Sequence, residues 1–207
     1  MPFIVSFSVA FYRQFGSIDV TFTVGQQYFL LGIIVYSFVQ LFLFKPVYLY
    51  VLGHEAVHVL ATWLCLGKVT SFKVSSAGGS VATSKSNLFI SLSPYFVPIY
   101  AILLTIFYYI VVHVSILGFM AQKYFMFLFG LTLAFHIVMT VDTLKTRQPD
   151  MVRSGYITSI VIIYVLNLIV IGAVLGLFFT SFSFVSFIKN AVHLSIVMYK
   201  TIFRQLF

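Results

Sequence analysis

The sequence predicts an all-α membrane protein: a polytopic bundle of five to six transmembrane helices with a short β-hairpin after the second. Three observations predict it. Of 207 residues 61% are apolar and 8% charged, whereas a water-exposed surface normally carries about a quarter or more charged residues. Several apolar runs reach the roughly 20 residues that a helix needs to cross a ~30 Å hydrocarbon core. The twelve Lys and Arg are scattered between those runs and form no basic run, which argues against a nucleic-acid partner and makes them topology signals in a lipid bilayer.

The elements follow in order. The opening stretch "MPFIVSFSVAFYRQFG" is apolar but lacks a leading basic region and a small-residue cleavage site, so it is expected to stay on the chain. Spans are expected at about 27–44, 46–66, 88–112, 121–141 and 156–180. Pro46 suits the first turn of the second span, because its missing N–H has no helical partner there, and Gly67 is the expected stop. After that stop, "GKVTSFKVSSAGGSVATSKSN" alternates β-branched or aromatic residues with small polar ones around Gly78 and Gly79, the pattern of a short hairpin. A weaker sixth segment runs over 182–207. Its Lys189, His193, Lys200 and Arg204 fall close to one helical face, so it is a basic amphipathic helix that lies on the membrane or crosses it. The chain is read as one membrane domain, 1–207, and its single cysteine, Cys65, excludes an internal disulfide.

With the N-terminus inside, the inner connections hold Arg13, Lys68, Lys73, Lys85, Lys145, Arg147 and Arg153, against Lys45 and Lys123 outside. That bias favours N-in, and the plasma (inner) membrane with the second span ending at the cytoplasm.

One stretch carries chemistry, "VLGHEAVHVL" at 51–60. Residues four apart share a helix face, so His54 and His58 can offer two ring nitrogens to one ion with Glu55 beside it. This is the zinc metalloprotease arrangement, two ligands and a carboxylate that takes a proton from water. Glu55 is the only glutamate of the chain, and a charged carboxylate in a bilayer core costs about 2.5 to 3.5 kcal/mol even on the lenient insertion scale. A cation such as Zn2+ offsets that cost, whereas a cluster that only glues helices together needs no histidine pair next to a carboxylate.

A catalytic zinc also needs a third protein ligand and an open position. His136 ranks first, because it and His58 lie eight and nine residues from the cytosolic ends of their spans and match in depth at about 1.5 Å per residue. Asp150 ranks second, since Pro149 blocks regular helix there and a segment folding back could carry the carboxylate to the metal. Asp142 ranks third, close to the boundary where a lysine-paired carboxylate is ordinary, and His113 falls at the opposite end of its span.

The residues "GHEAVH", then "GKVTSFKVSSAGGSV", a third span opening with "LSPYFVP", and the later "QPDMVRSG" resemble the site-2 protease family of intramembrane zinc metalloproteases. The resemblance covers a metalloprotease-like core of about 46–160. It implies zinc held by His54, His58 and an aspartate, Glu55 as general base, and a substrate helix unwound beside an edge strand within Lys68–Val81. The family's aspartate sits in a Leu-Asp-Gly motif, whereas Asp150 lies between Pro149 and Met151. Val97 stands where the family's third span has an asparagine, which leaves the oxyanion donor unassigned.

The expected activity is zinc-dependent endopeptidase cleavage of membrane-embedded protein or peptide substrates. The alternative is a non-proteolytic zinc-binding membrane scaffold. A transporter would need polar residues along several spans, and beyond Asn167 and the histidines there are few.

Overall fold

The computed structural model describes residues 2–114 and 118–206. It is mostly helical, with nine α-helices and one two-stranded antiparallel sheet among the described residues. The helices are α1 (Pro2–Phe15), α2 (Val24–Phe38), α3 (Val47–Leu64), α4 (Leu88–Leu92), α5 (Ile99–Val114), α6 (Gly118–Leu144), α7 (Pro149–Arg153), α8 (Tyr156–Phe178) and α9 (Phe184–Leu206). The strands are β1 (Val69–Ser75) and β2 (Gly78–Thr83). They form two compact units, Met1–Thr21 with Gly155–Phe207, and Phe22–Ser154.

Among the described residues, three continuous helical stretches are long and apolar enough to cross a membrane: Val24–Leu43, where a π-helical turn extends α2, Ala121–Leu144 and Tyr156–Phe178. A membrane protein is the consequence. The expected third span is broken: Leu88–Tyr95 and Ile99–His113 meet at a 75° bend. Pro98 stands just before α5, where its ring and missing N–H prevent the first segment from continuing. Helix α3 has 18 residues, but two histidines and a glutamate dilute its hydropathy, and it is not among the three stretches.

Inside the larger unit, α2 and α6 approach backbone to backbone. A Cβ on Gly32 would fall on the Phe127 carbonyl, and one on Gly130 on the Phe29 carbonyl. Small residues at such a crossing let dispersion contacts accumulate where lipid supplies no hydrophobic drive. Below that crossing Tyr36, Tyr50, Ala134, Phe135 and Met139 form a buried cluster that joins α2, α3 and α6.

The stop of α3 lies one residue earlier than Gly67. Leu66 takes the left-handed conformation (φ 56°), the Leu66 N–H donates to Trp63 O (2.9 Å) and the Gly67 N–H to Thr62 O (2.8 Å). This is a Schellman cap with leucine in the position usually given to glycine. Gly67 is needed for space, since a Cβ there would stand 2.7 Å from Thr62 Cγ2.

The hairpin forms where expected, with Phe72 opposite Val81 and Ser75 opposite Gly78. Ser76 and Ala77 make its tip, and Gly78 opens β2 at φ +141°, a conformation that side chains rarely adopt.

In the smaller unit α1 and α9 run antiparallel, with Phe3 edge-on to Tyr199 and Phe7 edge-on to Phe187. Ser8 Oγ lies 2.8 Å from Tyr164 Oη of α8. Lys189, His193, Lys200 and Arg204 are all on exposed positions of α9.

Candidate metal centre

Helix α3 supplies the first two donors. His54 and His58, one turn apart, have ring centroids 5.0 Å from each other. The third comes from α7, which Pro149 opens in the first-turn position that tolerates proline. Asp150 Oδ2 stands 3.3 Å from His58 Nε2 and 3.8 Å from His54 Nε2. One ligand atom from each of the three residues lies within 4.8 Å of the others.

These spacings suit an ion better than direct pairing. A hydrogen bond from imidazole to carboxylate closes to about 2.7–2.9 Å. Four ligands at about 2.0–2.2 Å from a tetrahedral ion stand roughly 3.3–3.6 Å apart. The residues present therefore have the geometry to hold a metal. Burial by itself would raise the Asp150 carboxyl, but the His54 and His58 imidazoles beside it outweigh that and hold it well below the ordinary carboxylate range. The ionised carboxylate is the form that ligates.

Other elements aim the rings. The Asn87 side chain caps α4 by accepting from the Ile90 N–H (2.8 Å). That short helix places the Ile90 carbonyl 2.8 Å from His58 Nδ1, so the ring donates there and leaves Nε2 able to bind an ion. His54 is gripped between Tyr95, whose ring stands edge-on at 4.9 Å, and Tyr50, at 5.8 Å. Tyr95, brought under α3 by the break before α5, is fully buried.

Glu55, between the two histidines in the motif, meets the hairpin. A Cβ on Gly79 would stand 2.5 Å from Glu55 Cγ and 2.8 Å from Oε1, so only glycine lets β2 lie against this carboxylate. His54, Glu55, His58 and Asp150 line one cavity of about 550 Å3, together with Gly78–Val81 of β2. That volume suits a ligand of several residues' side chains rather than a single water.

The remaining candidates lie elsewhere. His136 is buried on α6 and shares with His54 a second, small cavity, outside the three-residue group. Asp142 borders the large cavity but binds Lys45 (2.7 Å) and Lys145 (2.8 Å) through its two oxygens. His113 is exposed near the end of α5 and lies 2.8 Å from its own helix's Tyr109 carbonyl.

Sequence reasoning did not find Tyr50, Tyr95, the Ile90 carbonyl or the contact of Gly79 with Glu55. Only Tyr50 had a signal, its place four residues before His54 on the same helix face. The chain matches no protein-family model, no curated protein and no solved structure.

Proposed function

We propose that this protein is a zinc-dependent intramembrane endopeptidase, with His54, His58 and Asp150 as the metal ligands and Glu55 as the general base. The observation that carries the reading is the convergence of Asp150 on the histidine pair beside the chain's sole glutamate, in one cavity. Two imidazoles and a carboxylate with an open side are the donor set of a catalytic zinc rather than a closed structural one.

Zinc, when bound, supplies a Lewis acid that polarises a carbonyl and lowers the pKa of water towards neutrality. The residues of the chain do the rest. Glu55 takes a proton from the attacking water and delivers it to the departing amide nitrogen, so that one peptide bond and one water become a carboxylate and an amine. Asp150 and His58 hold their donor atoms still, the second through Ile90. A membrane helix has no free carbonyl to attack, because its backbone is bonded internally. Strand β2 walls the cavity and is paired with β1 along one edge only, among the described residues. Its other edge suits an extended substrate segment by strand addition.

In this reading α3 and the broken pair Leu88–His113 also lie within the bilayer, which makes five crossings, or six with α9. The positive-inside bias favours a cavity that faces the cytoplasm, and the plasma (inner) membrane is the membrane proposed. The resemblance to site-2 proteases agrees with the ligand set, Asp150 taking the aspartate's part.

The test is metal removal. Purified full-length protein in detergent cleaves a labelled transmembrane peptide, stops when a chelator strips the metal, and resumes on addition of Zn2+. Cleavage that survives complete stripping refutes the reading. Metal uptake without cleavage of any membrane substrate leaves a zinc-holding scaffold.

The hairpin offers a second measurement. Gly79→Val forces Glu55 aside, so hydrolysis falls by about 10²-fold, the usual cost of an ångström-scale misplacement, while metal content stays unchanged. Parallel loss of metal and cleavage would point instead to a disrupted fold.

A further inference from the structure

His54 meets the metal reading with one polar atom unaccounted for. If Nε2 faces the ion beside Asp150, neutral imidazole must carry its proton on Nδ1. That nitrogen is buried and has no hydrogen-bond partner among the described residues. Its neighbour has the opposite arrangement, with His58 Nδ1 satisfied by Ile90. Metal-ligating histidines almost always donate their second N–H to a fixed acceptor, because this sets the tautomer and the orientation of the ring.

The surroundings of His54 narrow the choice of acceptor. The ring borders a cavity of about 10 Å3 that His136 also lines. Pro94, Val97, Ile99 and Phe135 supply apolar walls. Tyr100 also borders it, but its hydroxyl donates to the Leu49 carbonyl. Tyr50 borders it too, and its buried hydroxyl has no hydrogen-bond partner among the described residues, so it can serve a water there as a further polar group. The volume is at the lower limit for one water, and such a water needs at least two polar partners to be held. The rings of His54 and His136 provide them.

We propose that His136 is a positioning residue for the metal centre: one water in the cavity between α3 and α6 accepts the His54 Nδ1 proton and donates to the imidazole of His136. The role rests on the metal reading above. It gives His136 a task without making it a ligand, and it ties the orientation of His54 to α6 as Ile90 ties that of His58 to α4.

The test uses full-length protein in detergent, titrated with Co2+ and then Zn2+, and the variants His136→Leu and His136→Gln. The leucine fills the site without a polar atom, whereas the glutamine amide both donates and accepts. His136→Leu is expected to weaken metal binding by about 10–100-fold and to change the visible spectrum of bound Co2+. His136→Gln is expected to restore most of the affinity and the original spectrum, with both variants melting near the unaltered protein.

Equal affinity and an unchanged spectrum in His136→Leu overturn the positioning role alone. Equal weakening in both variants overturns it in favour of packing, and metal loss in both as complete as in His58→Ala makes His136 a ligand instead. If the unaltered protein takes up neither ion, the metal reading itself fails, and the positioning role with it.

Discussion

Glu55→Gln is expected to keep its metal and to lose about 10²- to 10⁴-fold in hydrolysis, the range supplied by a positioned general acid–base group. The amide has the volume of the carboxylate, so the contact with Gly79 and the packing of β2 against α3 are preserved. What it lacks is the ability to accept and return a proton. Metal analysis of the purified protein, run beside cleavage of a labelled transmembrane peptide, separates the two properties. If Glu55→Gln cleaves at the unaltered rate, Glu55 is not the base. If it loses its metal as well, the carboxylate holds the site together rather than serving the reaction.

Asp150→Ala acts on the other property. It removes one of three donors and leaves two imidazoles without an anion beside them, so metal affinity should fall by more than the roughly 100-fold that loss of an outer partner costs. Asp142→Ala, tested in parallel, should leave metal uptake unchanged, because that carboxylate is occupied by Lys45 and Lys145. Elemental analysis of the two variants after dialysis against a trace of Zn2+ reads the difference directly. Retention of metal by Asp150→Ala together with its loss from Asp142→Ala would reverse the assignment.

The parts of the site legible in the sequence are those that helix periodicity decides. His54, Glu55 and His58 lie within little more than one turn, so their mutual placement follows from 3.6 residues per turn and needs no neighbour. The hairpin was legible for a similar reason, since alternation and paired glycines are local signals. Even the end of α3 was nearly so, displaced by one residue because the capping geometry fell on Leu66.

The ranking of His136 above Asp150 shows where local reasoning stops. Helix rise specifies depth along the membrane normal but not direction around the helix. His136 does lie near the motif, lining a small cavity together with His54, while Asp150 stands within 3.3 Å of His58 Nε2. Depth alone could not separate the two. Nor could the sequence show that the third apolar run is bent by 75°, although this break brings Tyr95 against His54.

By itself, then, the sequence determined the class of molecule and the chemistry available. Its composition demands lipid, and its one glutamate sits between two histidines on a single helix. The tertiary structure decided which distant carboxylate joins them, which carbonyl orients His58, and that β2 touches Glu55 through a residue without a side chain. The physical reason is the range of the interactions. Periodicity and hydropathy are properties of neighbouring residues, whereas a metal site requires donors from separate elements to meet within a few ångström, and only packing sets that distance.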